Sequence, residues 1–277
     1  MNYTNKFKLP ESIVDAIVKN TYDLSTSDKN IISVSVLNNP PRIRQLSLRH
    51  WIDLEEDVSD SIWRLLGSAV HEVVARIEAK NRLIEERMFV DMSTDKVITL
   101  SKGKKLETEE GHVYIAGRPD LYDEKEKSVE DYKVTSVWAV KEEKKEWVEQ
   151  VNCYTWFFRK LNFIVEKGFI NAILRDWRKG ELRKYEGGDY PKIPFKVLPI
   201  PIWTFATQQA HIEARVLMHQ NASLQPDNKL PLCTEKERWK YDGRCRDYCL
   251  VRKFCSYYQK HYTLSKRKAN APYLKDL

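Results

Sequence analysis

The chain has no apolar run approaching the roughly 20 residues that a membrane-spanning helix needs, and its opening stretch MNYTNKFKLPES carries no signal-peptide core. The expectation is a soluble protein, without membrane association, in the cytoplasm. The glycine-rich G-xxxx-G-K-[S/T] loop that cradles nucleotide phosphates is also missing. That argues against a built-in ATP-driven motor, so any helicase would be another polypeptide. Internal repeats and low-complexity tracts are absent, which excludes repeat architectures. No cysteine precedes Cys153, and four of the five stand near the C-terminal end.

What is present is enough for a full core. With 277 residues and 42% hydrophobic content, the expectation is one domain with a small appendage. We divide it into an N-terminal extension (1–30), a core (31–225), and a cysteine-rich segment with a tail (226–277) that is basic around Lys266–Lys268. The net charge of +7 and pI near 9.0 suit a polyanionic partner without identifying one. The N-terminal part reads as a docked helix around Ile13, Ile17 and Val18, followed by a loop. Next, ISVSVLNNPPRIRQLSLRHW joins a short strand-like run to a break at Pro40-Pro41. Its Arg42, Arg44 and Arg49 are read as surface charges or as contacts to the phosphates of a polyanionic partner.

The chemistry concentrates in GRPDLYDEKEKSVEDYKVTSVWAVKEEKKEWVEQVNCY. Asp120 follows a predicted strand, GHVYIAGRPDLYD, and Asp131 and Lys133 lie two apart on a second, SVEDYKVTS. Residues i and i+2 of a strand share a face, so Asp131 and Lys133 point together while Glu130 points away. A hairpin through residues 123–127 brings Asp120 to them. Two carboxylates suit a hard ion such as Mg²⁺ or Mn²⁺, whose use in phosphodiester hydrolysis is to polarise the phosphate and acidify water. Lys133 would orient that water or neutralise charge on the phosphate.

Residues 141–160 read as a helix, with Val140, Trp147, Val151, Tyr154 and Phe158 at helical spacing and Gln150 sharing a face with Tyr154. Upstream, SDSIWRLLGSAVHEVVARIEAK is a second helix, capped by Ser59 or Asp60, with Ile62, Leu65, Leu66, Ala69, Val70, Val73 and Ile77 as its buried stripe. Gly67-Ser68-Ala69 would let it press on a sheet and bring His71 to the sheet's edge.

In this order and at these intervals, Gly67-xxx-His71, Pro119-Asp120, Asp131-Tyr132-Lys133 and Gln150-xxx-Tyr154 resemble the PD-(D/E)xK nuclease superfamily, specifically its RecB-like exonuclease branch, which includes phage-encoded and CRISPR-associated members. The resemblance runs from about Ile32 to Tyr258. It implies an α/β fold with a restriction-endonuclease-like core, a mixed and mainly antiparallel sheet flanked by helices. It implies a metal-dependent exonuclease acting on single-stranded or double-stranded DNA ends in recombination, repair or phage DNA metabolism. His71, Asp120, Asp131 and the Tyr132 carbonyl would be ligands to Mg²⁺ or Mn²⁺, and the imidazole favours Mn²⁺. Lys133, Gln150 and Tyr154 would complete the catalytic set, the last two orienting substrate or bracing Lys133. The alternatives are a structure-specific endonuclease on branched DNA and a non-catalytic DNA-binding protein on the same scaffold.

Around this core, residues 86–91, 97–100 and 112–116 read as antiparallel strands, with Gly103 and Gly111 as punctuation. In the family a Glu on the first strand sometimes approaches the metals, but Glu85 and Glu86 are read as solvated strand charges. GFINAILRDWRKG is a further strand, 182–203 a surface loop, and 207–220 a helix packing through Ala210, Ala214, Leu217 and Met218. Arg175, Arg178, Lys179, Arg183 and Lys184, with Trp177 and Tyr185, read equally as a single-strand nucleic-acid surface or a solvated loop.

Cys233, Cys245, Cys249 and Cys255 are separated by eleven, three and five residues, without the paired C-x₂-C knuckles of a zinc ribbon. An intracellular chain has little use for disulfides, and four thiolates suit a [4Fe-4S] cluster or Zn²⁺. Iron-sulfur members of the resembling branch take their fourth cysteine from far upstream. Here either Cys233 takes that place or the cluster is absent. We expect a metal-bound staple pinning the C-terminal segment to the core, iron-sulfur before zinc. Cys153 is expected to be a packed thiol.

Overall fold

The computed structural model describes residues 1–21, 28–77, 80–101, 103–184 and 188–262. Tyr185 and the basic tail around Lys266–Lys268 lie outside the described residues. In chain order the strands are β1 (Asn2–Thr4), β2 (Ile31–Ser33), β3 (Glu55–Asp57), β4 (Arg82–Ile84), β5 (Arg87–Asp91) and β6 (Val97–Leu100). They continue with β7 (Tyr114–Gly117), β8 (Leu121–Asp123), β9 (Ser128–Thr135), β10 (Lys167–Leu174) and β11 (Phe195–Ile200). The helices are α1 (Glu11–Lys19), α2 (Val34–Leu37), α3 (Pro41–Arg49), α4 (Ile62–Val74), α5 (Lys145–Lys160), α6 (Lys179–Lys184), α7 (Phe205–Ser223), α8 (Glu235–Arg238) and α9 (Ser256–His261).

These elements form two compact units. One comprises Met1–Ser27, Asn39–Asp60 and Arg215–Leu277, the other Asp28–Asn38 and Ser61–Ala214. The linear division 1–30, 31–225 and 226–277 is therefore regrouped: residues 1–27 and the cysteine-rich segment share a unit with residues 39–60 and 215–225.

The larger unit is mixed α/β. Its five-stranded sheet has the order β11-β10-β9-β8-β4, and a four-stranded sheet has the order β2-β7-β5-β6. Strand β8 returns antiparallel into β9 with Leu121 opposite Glu130 and Asp123 opposite Ser128, the hairpin expected from the polar turn. Strands β9 and β10 are parallel, with Asp131 beside Ile170, and parallel neighbours need a crossover. Helix α5 is that crossover. It is buried on almost every side, from Trp147 through Phe158, as a helix between layers must be.

Several expectations are corrected. The stretch 112–123 is two strands in different sheets, β7 and β8. Pro119 interrupts it because proline has no N–H for the ladder. The supposed loop 182–203 contains β11, an edge strand antiparallel to β10. The Pro40-Pro41 break starts α3, with Pro41 in its first turn, where a missing N–H costs nothing. The stripe assigned to α4 is rotated. Leu66, Ala69, Val73 and Ile77 are exposed, Val73 by 62%, while Ile62, Leu65, Val70, His71 and Val74 are half-buried. That rotation turns His71 inward. Helix α7 likewise buries Gln208, Ile212, Val216 and His219 and exposes Ala210, Ala214, Leu217 and Met218. A polar side chain with a buried partner outranks an apolar one there: Gln208 donates to Asn152 Oδ1 at 3.1 Å.

Candidate metal centre

Asp120 occupies the short connection between β7 and β8, and its two oxygens face different elements. Oδ2 accepts the backbone N–H of Tyr132 on β9 at 2.6 Å, which fixes the carboxylate against the hairpin. Oδ1 lies 3.0 Å from His71 Nδ1 on α4. The same nitrogen is 3.3 Å from Glu85 Oε1. Glu85 sits between β4 and β5 at φ 54°, a left-handed conformation uncommon for a side chain of its size. Its N–H donates to the Asp120 carbonyl at 3.2 Å, and Arg118 Nε holds its other oxygen at 2.7 Å. Glu85 is thus held in a costly conformation that aims its carboxylate inward.

His71, Glu85 and Asp120 each offer one ligand atom, all within 4.8 Å of one another. One imidazole with two carboxylates is a donor set that suits Mn²⁺ and accepts Mg²⁺. Beside it, Asp131 is 1% exposed, and its Oδ1 accepts from Gln150 Nε2 at 3.1 Å. Gln150 Nε2 also donates to the Tyr154 hydroxyl at 3.0 Å. Lys133 Nζ lies 2.6 Å from Asp131 Oδ2, as the shared strand face requires. Gln150 therefore braces Asp131 rather than Lys133.

Two buried oxygens in this cluster, Glu85 Oε1 and Asp131 Oδ2, accept no hydrogen bond. The cations beside them, His71 Nδ1 and Lys133 Nζ, approach within ion-pair distance but off the hydrogen-bonding direction. A divalent cation would give such oxygens a well-directed partner. The residues present fit such an ion.

The electrostatics agree with this crowding. The Asp120 and Glu85 carboxylates push the His71 imidazolium up to about 10, against the effect of its burial. Burial raises the Asp131 carboxyl above the ordinary range, with Lys133 opposing and Asp120 reinforcing the shift. Burial also raises the Tyr154 hydroxyl, with Asp131 adding to it; Tyr154 is a neutral partner here.

Glu85 was misread as a solvated strand charge; its side chain belongs to the cluster. The pair Glu85-Glu86 does not reveal which one turns inward, because the decisive backbone bond comes from Asp120. Glu130 points away as expected, accepting from Asn171 Nδ2 at 2.6 Å. Cys153 is a packed thiol. Among the basic residues before β11, Arg175 lies over the Trp63 ring at 4.5 Å, and 179–184 form α6.

The smaller unit holds the four C-terminal cysteines. Cys255 belongs to a core of Leu46, Leu54, Ala222, Leu230 and Val251, with Cys249 packed against it. All four are free thiols, Cys245 and Cys255 buried. Burial, then Glu237, then the neighbouring cysteines push the Cys233 thiol up to about 12. Burial, led by no charge but joined by Cys249 and Asp242, pushes Cys245 up to about 11. Arg42, expected on the surface or on phosphate, is instead buried against this set. Arg49 pairs with Asp227 at 2.7 Å.

No protein-family model matches the chain, and no curated protein matches it. A solved structure named "Crystal structure of SSO0001" is similar, with a TM-score of 0.50 and 18% sequence identity over 88% of this chain and 94% of that chain. At that identity the likeness shows a shared mixed α/β fold and nothing about chemistry.

Proposed function

We propose that the chain is a divalent-metal-dependent deoxyribonuclease of the PD-(D/E)xK kind, an exonuclease on DNA ends. The observation that carries this is the convergence of His71, Glu85 and Asp120 beside the Asp131–Lys133 pair. His71, Glu85 and Asp120 would hold Mn²⁺ or Mg²⁺, with Asp131 and the Tyr132 carbonyl adjoining them. The bound ion would polarise a phosphoryl oxygen and lower the pKa of water. Lys133 Nζ neutralises charge growing on the phosphate, and its pairing with Asp131 keeps it in place. Gln150 fixes the Asp131 carboxylate, and Tyr154 fixes Gln150. Glu85 replaces a water-facing role with a ligand role, so the donor set extends beyond the four groups expected from sequence. Cys233, Cys245, Cys249 and Cys255 would hold a [4Fe-4S] cluster or Zn²⁺. Among the described residues no three of their sulfurs lie within 4.8 Å of one another.

The test is digestion of end-labelled linear DNA and covalently closed circular DNA with Mn²⁺, with EDTA as control. Metal-dependent loss of linear DNA alone supports the exonuclease. Cleavage of closed circles would make it an endonuclease. Binding without cleavage in either metal would leave a DNA-binding protein and refute the hydrolytic reading.

A further inference from the structure

Arg42 is 2% exposed, and a guanidinium stays protonated in any protein. Its Nε donates to Cys255 Sγ at 3.2 Å, one terminal nitrogen to the Leu230 carbonyl at 2.6 Å, and the other to Ser256 Oγ at 2.7 Å. Among the described residues those three acceptors are its partners, and none is a carboxylate. Both oxygens are neutral. A buried cation without an anion is strongly unfavourable, and of these three partners the sulfur alone could be held as a metal-bound thiolate.

One thiolate would balance one guanidinium, yet three more thiols share this unit. Four thiolates on a dication carry a net charge of about −2. Such a centre would place an anion beside Arg42.

We propose that Arg42 is the internal counter-cation of a metal–thiolate centre held by Cys233, Cys245, Cys249 and Cys255, donating through Nε to the metal-bound sulfur of Cys255. This rests on the metal–thiolate reading of the four cysteines, and it gives the buried arginine a defined task. Hydrogen bonds to ligand sulfur and nearby positive charge tune retention and potential at such sites. Arg42 would strengthen metal retention, and in an iron-sulfur centre it would raise the reduction potential by favouring the more negative reduced state.

The experiment uses the full chain, purified without oxygen, with iron and zinc content, visible absorption, reduction potential and EDTA release rate measured for wild type, Arg42→Met and Arg42→Lys. Arg42→Met should release metal at least about tenfold faster and, with iron, shift the potential to more negative values. Arg42→Lys, which keeps the charge, should recover most of both. A folded Arg42→Met with wild-type release rate and potential overturns the counter-cation while leaving the metal centre standing. A wild-type chain that takes up neither metal, even after reconstitution with iron and sulfide or with zinc, overturns both. Should Arg42→Met fail to fold, metal-free Cys255→Asp and Cys255→Ser decide. Aspartate offers Arg42 an anion, so it should melt at the higher temperature; equal or reversed melting overturns the proposal.

Discussion

His71 Nδ1 stands 3.0 Å from Asp120 Oδ1, an encounter between a helix and a strand junction that neither could arrange alone. Asp120 is already committed through its other oxygen to the Tyr132 N–H, so His71 meets a carboxylate that cannot rotate away. Asp120→Asn keeps an acceptor for Tyr132 but removes the charge. Cleavage should fall by about 10²–10³-fold with the melting temperature little changed, measured by initial rates under saturating Mn²⁺. Lys133→Ala should lose a similar factor. Full activity in either purified variant would remove that residue from the mechanism and defeat the assignment.

Glu85 and Glu86 are adjacent, yet one is a candidate ligand and the other is not. Titration calorimetry with Mn²⁺ should show Glu85→Gln weakening binding by about tenfold or more and Glu86→Gln leaving it unchanged. Equal effects would mean that the turn at φ 54° does not select between them.

The raised pKa of His71 sets a pH dependence with a definite sign. The imidazole titrates near 6.5 when unfolded and near 10 when folded without metal. Its contribution to metal-free stability is therefore complete below about 6.5 and is lost as pH rises through about 10. Asp131, raised by burial, acts in the same sense at lower pH, since ionising it in the fold costs more than in the unfolded chain. Melting curves of metal-free wild type should fall toward alkaline pH more steeply than those of His71→Ala. Added Mn²⁺ should reverse the trend, because a ligand imidazole must be neutral.

Gly117 closes β7 against α5. A β-carbon built there would stand 2.6 Å from the Phe157 ring, and Phe157 is fully buried. Gly117→Ala should destabilise the fold by roughly 1–3 kcal/mol, read from urea denaturation. An unchanged midpoint would show that the ring has room to move.

The local order of the site was legible in the chain. Two-residue periodicity put Asp131 beside Lys133 and sent Glu130 away, a polar turn made the β8–β9 hairpin, and four-residue spacing joined Gln150 to Tyr154. These follow from backbone geometry over a few residues. Where sequence reasoning went wrong, the deciding partner was remote. Helix α4 looked apolar along one stripe but turned another toward the sheet, carrying His71 with it. Helix α7 buried Gln208 because Asn152 was waiting for it.

Glu85 became a candidate ligand through a backbone bond to Asp120, and Arg42 left the surface for Cys255. Sequence alone determined which chemical groups were available and which neighbours shared a face, because those depend on composition and on strand and helix repeats. Only the tertiary structure decided which charges were drawn inside. A buried charge is tolerated only where a partner from another part of the chain meets it, and that meeting is a property of the whole fold.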